Sequence, residues 1–293
     1  MSTTREDLVR EHITKDQKGI EVGPWFSPMT PKRAGYNCLA LDVFDGHTLR
    51  QRAAVDPNIP KDKIGSIEEV DLVGTSTEIA QLVSDRNELG TFDYIVSSHN
   101  FEHLPNPIKF LQGCGKVLKP NGWLSMAIPD RRACFDRYKS NSRLSEWIAA
   151  YFEDRKQPTL AQVFDMSILS SLDPPKKSVP QIARSLKEAF ESWSVCKDLP
   201  ETPYQDVHCW TFTPTSFELL IIESGLLGLS PFVPVHVSKT MGNEFFVHLK
   251  HVGYLDGSEK SAEFYDRRQA LFEALRAESN LVEKRWRKFH LWK

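Results

Sequence analysis

The chain has 293 residues, 40% hydrophobic and 26% charged, which fits a folded soluble protein of one large domain or a core with a sizeable insertion. A formal net charge of −2 supplies no global basic field, so nucleic acid is not an expected partner. The five cysteines, Cys38, Cys114, Cys134, Cys196 and Cys209, form no CxxC pair and are odd in number, which excludes a disulfide framework and a zinc site by spacing and points to a reducing cytoplasm.

Residues 1–16 read as a short amphipathic helix with Leu8, Val9 and Ile13 inside, without the apolar stretch of a signal peptide. KGIEVG then reads as a buried strand ending in glycine, and NCLALD (37–42), IEEVDLV (67–73), FDYIVSS (92–98) and GWLSMAIP (122–129) as the next four. Helical patterns lie between them: HTLRQRA, TEIAQLV, and PIKFLQGCGKVL (107–118), which KPNG stops. Strand and helix in alternation specify a parallel sheet with helices on both faces. From 131 the pattern changes to RLSEWIAAYFED, LAQVFDMSILSSL and VPQIARSLKEAFESW, three helical runs separated by breaks such as DPPKKSVP. TPTSFELLIIESG (213–225) is a helix with threonine before a first-turn proline and a glycine stop, followed by strand-like FVPVHV and NEFFVHLKH. The last stretch, about 258–290, is a charged helix in which Phe264, Leu271, Leu275, Val282 and Phe289 follow a near-heptad spacing. That spacing allows a homodimer, and the basic-aromatic end WRKFHLWK allows a membrane surface or a partner; a helix packed on its own domain fits slightly better. No run approaches the ~18 apolar residues of a membrane helix. The expected divisions are a cofactor-binding half (1–130), a helical insertion or cap (131–212), completion of the core sheet (213–256) and the C-terminal helix (257–293).

Glu21 and Gly23 end the first strand, and Asp42 ends the second, 21 residues after Glu21. Glycine there lets a ligand approach backbone, and an acid about 20 residues on is placed to accept both ribose hydroxyls. The loop EVGPWFSPMTPK lacks GxGxxG, and Trp25 and Phe26 stand where a pyrophosphate needs bare backbone. A nucleoside without phosphates, carrying one carboxylate and one ammonium, suits this turn better.

GIEVGPWFSPMTPKRAGYNCLALD resembles the first two motifs of class I methyltransferases. FDYIVSSHNFEHLPNPIKFLQGCGKVLKPNGWLSMAIPD is similar to the later motifs of the type 11 group, and the second half is similar to bacterial methyltransferases that accompany glycosyltransferases. The resemblance implies a Rossmann-like, doubly wound seven-strand α/β sheet ordered 3-2-1-4-5-7-6, with the seventh strand antiparallel. It implies S-adenosyl-L-methionine as cofactor, touched by Glu21, Gly23 and Asp42. Pro24 and Ser98 are placed with these residues. Thr75 stands where many relatives have an acid near the adenine, and Thr75 or Ser76 could bind the adenine amino group. Trp25 replaces the usual second loop glycine.

On the acceptor side, a hydroxyl must lose its proton as it attacks, and histidine suits that task. SSHNFEH follows the fourth strand, at the sheet edge where ligands bind, so His99 and His103 are the candidate catalytic residues. They are i and i+4 and share a face if the stretch is helical. In many relatives the Glu-His pair is a helix-start feature, which gives His103 a bracing alternative. Glu102 lies between the two histidines, but no third ligand is near in sequence, so no metal is expected. Asp130, Arg131 and Arg132 end the fifth strand as candidate substrate contacts, with ion pairs in a solvated turn as the alternative. His208, with Trp210, is placed at the mouth of the cleft.

The resulting expectation is an enzyme that methylates a sugar or polysaccharide hydroxyl. A small-metabolite O- or N-methyltransferase and a non-catalytic binding module, supported by Trp25 and Thr75, are the alternatives. Nucleic-acid methylation is disfavoured because no NPPY-like tetrapeptide follows the fourth strand.

Overall fold

In a computed structural model of the chain, the described residues are 3–171, 185–197, 199, 203–255 and 261–290, with side chains of the last helix described for 262–279. Strands β1 Lys18–Val22, β2 Asn37–Asp42, β3 Leu72–Val73, β4 Phe92–Ser98, β5 Leu118–Pro129, β6 Phe232–Val237 and β7 Glu244–His251 form one sheet, ordered β3-β2-β1-β4-β5-β7-β6. The β1–β5 pairs are parallel, while β7 runs antiparallel to both β5 and β6. This is the order and the antiparallel strand that the sequence motifs imply. Central strands are buried on both faces, which is why they read as continuous apolar runs such as Ile20–Val22 and Tyr94–Val96. Gly19 is required by close approach: a Cβ there would sit 2.0 Å from the Tyr94 ring.

Helices α1 Arg5–Val9, α2 Gly46–Val55, α3 Ile79–Ser84, α4 Pro107–Val117, α5 Leu144–Phe152, α6 Leu160–Leu169, α7 Leu186–Cys196, α8 Pro214–Leu226 and α9 Ser261–His290 cover both faces. Their starts are written in the sequence. Asn106 accepts the Lys109 N–H ahead of Pro107, and Thr213 accepts the Ser216 N–H ahead of Pro214. The largest core cluster joins the sheet to α4, α5 and α8, centred on Phe101, Phe110, Trp147, Phe212 and Phe217. A second, around Val9, Met29, Tyr94 and Phe246, lies under α1, and a third packs α2.

Three boundaries differ from the sequence reading. The third strand shrinks from 67–73 to Leu72–Val73 because Ile67 caps a 3-10 turn and the Glu68 carboxylate accepts the Lys32 and Arg33 N–H groups. KPNG does not follow the helix as a loop; α4 ends at Val117 and these residues open β5, with Asn121 at φ 64°. Helix α8 runs past Gly225 to Leu226, and the left-handed residue beyond it is Gly228, at φ 66°. The break DPPKKSVP lies outside the described residues, as do the first residues of VPQIARSLKEAFESW, whose remainder forms α7.

Helix α9 lies against α8, where Arg267 pairs with Glu218 and Arg268 with Glu223. Phe264, Leu271 and Leu275 are half-buried in the single chain, and Tyr265 and Phe272 are exposed. The side chains of Val282 and Phe289 and the end of WRKFHLWK fall outside the described residues. Among the described residues no helix is long and apolar enough to cross a membrane.

One buried histidine gives the fold an acid-sensitive point. His248 on β7 is 1% exposed and shares a 3.0 Å hydrogen bond with Ser125 Oγ. Burial, aided by the neighbouring His12 and His236 and opposed by Glu11, pulls it down to about 4. The native form is therefore neutral, and the unfolded chain takes up the proton first, near pH 6.5. Stability attributable to His248 is present above about pH 6.5 and is lost on acidification toward pH 4, by about 2–3 kcal/mol. Urea midpoints measured between pH 7 and 4 should fall less steeply in His248→Gln than in wild type; identical slopes would remove His248 as the cause.

Candidate active site

The carboxyl ends of β1, β2 and β4 converge on one edge, and β1 leaves it through Gly23 at φ 62°, a backbone form that favours glycine. Nothing lies within 4 Å of where a Gly23 Cβ would be, so the turn faces open space. The next residues fold back over β1. Met29 N–H donates to Glu21 Oε1 at 2.6 Å, and Thr30 N–H and Oγ1–H donate to Oε2 at 2.7 and 2.8 Å. Glu21 is thus spent on shaping the loop; burial raises its pKa and those bonds oppose the rise. Trp25, also at positive φ (46°), turns its ring to Phe26 and the α2 cluster rather than over Gly23.

Asp42 ends β2 half-buried, with one long bond from the Phe44 N–H at 3.4 Å. Burial pushes its pKa up, and the Phe44 and Val43 N–H groups and Arg52 oppose the rise. Across the edge, Ser76 is buried and its hydroxyl donates to Asn100 Oδ1 at 3.5 Å, whereas Thr75 is exposed and meets Thr77. Ser98 Oγ accepts from Arg5 Nη2 at 2.7 Å. Open backbone at Gly23 and a half-buried acid at Asp42 fit the turn and ribose ends of a nucleoside cofactor.

Beyond β4 the chain does not make the helix that would put His99 and His103 on one face. His99 has φ 48°, and a 3-10 turn, Phe101–His103, follows. His99 Nε2 lies 2.8 Å from Glu244 Oε2 on β7, and its Nδ1 lies 3.5 Å from Glu102 Oε1. Burial lowers its pKa, but the neighbouring Glu102 and Glu244 carboxylates outweigh this and push it up to about 9, so it carries its proton at neutral pH. Arg5 joins the same Glu244, 2.6 Å from Oε1. His103 Nδ1 lies 2.8 Å from Asp206 Oδ1, and burial of the ring is outweighed by that carboxylate, raising its pKa.

His208 arrives from the far end of the helical stretch. The Trp210 backbone N–H donates to Glu102 O at 3.1 Å, and its indole N–H donates to Leu104 O. This interlock sets His208 Nδ1 against Asp136 Oδ2 and its ring edge-on to His103, 4.7 Å between centroids. A cleft of about 640 Å³ opens beside it, lined by Tyr138, Lys139, Asn141, Arg143, Glu146 and Gln162 among others.

Of the four expected substrate contacts, only His208 lines this cleft. Asp130 is 1% exposed and accepts from Arg132 and from Thr240 Oγ1–H, while Arg132 reaches Glu278 on α9 at 3.2 Å. Arg131 donates to Asn141 Oδ1 and to Lys139 O. These three residues brace the turn after β5. Sequence reasoning missed Asp136, Lys139, Asp206 and Glu244, whose signal exists only in three dimensions.

A Rossmann-like sheet of this order, with β7 reversed and a glycine turn and acid at the ends of β1 and β2, defines the class I S-adenosylmethionine-dependent methyltransferases. A family model described as a methyltransferase domain matches residues 19–227, and the chain belongs to that family. It is an enzyme, and its cofactor is S-adenosyl-L-methionine. Among solved structures it is similar to a SAM-dependent methyltransferase from Aquifex aeolicus, at 14% identity over 85% of this chain and 91% of that one, TM-score 0.43. It is also similar to a Pyrococcus horikoshii protein (15%, 84% and 87%, TM-score 0.45). A SAM-dependent methyltransferase from Methanosarcina mazei shows 14% identity, coverage of 84% and 97%, and a TM-score of 0.42. No curated protein matches the chain.

Proposed function

We propose that the enzyme methylates a hydroxyl of a sugar or of a polysaccharide intermediate. The observation that carries this reading is the cleft beside His208, whose hydroxyl, amide and charged groups (Ser140, Asn141, Ser142, Arg143, Glu146, Gln162) match a polyhydroxylated acceptor. Residues 1–130 and 213–256 then form the cofactor-binding core, and 131–212 the cap that carries the acceptor. The five free cysteines fit a reducing compartment such as the cytoplasm.

Adenosylmethionine supplies a methyl group already activated by its sulfonium. Asp42 holds the ribose hydroxyls, Gly23 and Pro24 bring backbone against the amino acid end, Thr75 and Ser76 flank the adenine, and Ser98 lies at the β4 edge. Glu21 acts from beneath by fixing the loop. The cap residues align the hydroxyl and exclude water. His99, after giving up to solvent the proton that Glu102 and Glu244 hold on it, takes the hydroxyl proton as the methyl is transferred, and His103 lies on the other side of Glu102.

The test offers methyl-labelled adenosylmethionine with nucleotide sugars, oligosaccharides, phenols and amines, reading products by mass spectrometry. Label on a sugar hydroxyl supports the reading, and label confined to phenols or amines overturns it. In the same assay His99→Ala should lower turnover about 100-fold or more with cofactor affinity unchanged; equal turnover removes His99 from the mechanism.

A further inference from the structure

Glu102 is fully buried, yet neither of its carboxylate oxygens accepts a hydrogen bond. Leaving a buried charged acceptor unmet is costly, so such a group calls for a partner. Three imidazoles surround its Oε1: His99 Nδ1 at 3.5 Å, His208 Nε2 at 3.8 Å and His103 Nε2 at 3.9 Å. Those separations are too long for hydrogen bonds and slightly longer than donor atoms sharing one ion at ~2.1 Å.

The outer nitrogens repeat a single pattern. His103 Nδ1 is held by Asp206, His208 Nδ1 by Asp136, and His99 Nε2 by Glu244. At His103 and His208 a carboxylate on one ring nitrogen fixes the tautomer and turns the other nitrogen's lone pair inward, the arrangement found around metal-binding imidazoles. Charge points the same way. Glu102, Asp136, Asp206 and Glu244 are four carboxylates, and the fixed cations paired with them are Lys139 and Arg5. A divalent ion offsets the difference.

The geometry points to a divalent transition-metal site whose ligands are Glu102, His103 and His208. Their donor atoms lie within 4.8 Å of one another. Two imidazoles with one carboxylate favour zinc, manganese, iron or cobalt over magnesium or calcium. Because His208 also lines the cleft, an ion held by these residues would lie beside the acceptor and would supply Lewis-acid polarisation of its hydroxyl. That use of the ion rests on the acceptor reading above; the site itself does not.

The experiment strips the full-length protein with a chelator and titrates it with Co²⁺, following the visible absorption of the bound ion and the metal-to-protein ratio after desalting. One Co²⁺ per chain, displaced by Zn²⁺ and not by equal Mg²⁺, is expected. Glu102→Gln and His208→Asn should weaken uptake at least about 100-fold, and the exposed outer partner Asp206→Asn about 10-fold. Should the buried variants fail to fold, His103→Ala, at a half-exposed position, carries the test. No uptake by wild type overturns the site, as does uptake unchanged in a folded ligand variant. Loss in His236→Ala instead overturns it too, by moving the ion to the other cluster, Glu11, His236 and His248. Adenosylmethionine binding by the stripped protein, measured in parallel, separates failure of the site from failure of the cofactor assignment.

Discussion

Replacing Asp42 by alanine is expected to weaken adenosylmethionine binding about 100-fold or more while the protein stays folded. The carboxylate ends β2 with a long bond from Phe44, and burial already disfavours its charge, so the native state loses little without it. A cofactor ribose has two hydroxyls to donate, and each hydrogen bond to a charged acceptor contributes about 1.5–3 kcal/mol. Asn keeps the shape and one acceptor oxygen, so Asp42→Asn should fall between the two. Calorimetric titration of the three proteins decides the matter. Equal affinities would mean that the ribose does not sit on β2.

Phe101→Ala should be the most destabilising of the simple truncations near the site, by about 3–5 kcal/mol. Its ring is 1% exposed and lies 5.3–6.1 Å, centroid to centroid, from Phe217, Trp147, Phe110 and Phe212. Those neighbours come from α8, α5, α4 and the segment before α8, so no single element can move in to close the void. At about 2–4 °C per kcal/mol for a domain of this size the thermal midpoint should drop by roughly 6–20 °C. A drop below about 2 °C would show that the aromatic box repacks.

The sheet was largely legible because its central strands are short apolar runs punctuated by turn residues and alternating with capped helices. Edges were less so. Residues 67–73 carry strand-like residues, but the edge offers a ladder on one side only, and Glu68 bonds to loop backbone instead. For the cofactor end, Gly23 and Asp42 stood out because the strand-to-turn spacing is local. The bonds that Glu21 accepts from Met29 and Thr30 were not legible, since they depend on how the loop folds back. Trp25 looked like an obstruction in one dimension and turns aside in three. The acceptor end resisted reading. His208 lies more than a hundred residues from Glu102, and the expectation of no metal rested on the lack of a nearby third ligand. Asp130 and Arg132, adjacent in sequence to the sheet edge, bind one another and α9 instead.

The interlock between residues 101–104 and 208–210 has a bearing on recombination. Asp136, Lys139, Asp206 and His208 all belong to the helical stretch, whereas Glu102 belongs to the sheet core, with α4 and β5 between. A chimera that transplants a relative's 131–212 segment would take His208 from beside Glu102 and Asp206 from beside His103, while His99 and His103 stay in place. The 131–212 segment is therefore not an independent cassette. A donor segment has to travel with a compatible residue at position 102, and shuffling at the β5 boundary should favour progeny in which the two pieces are inherited together.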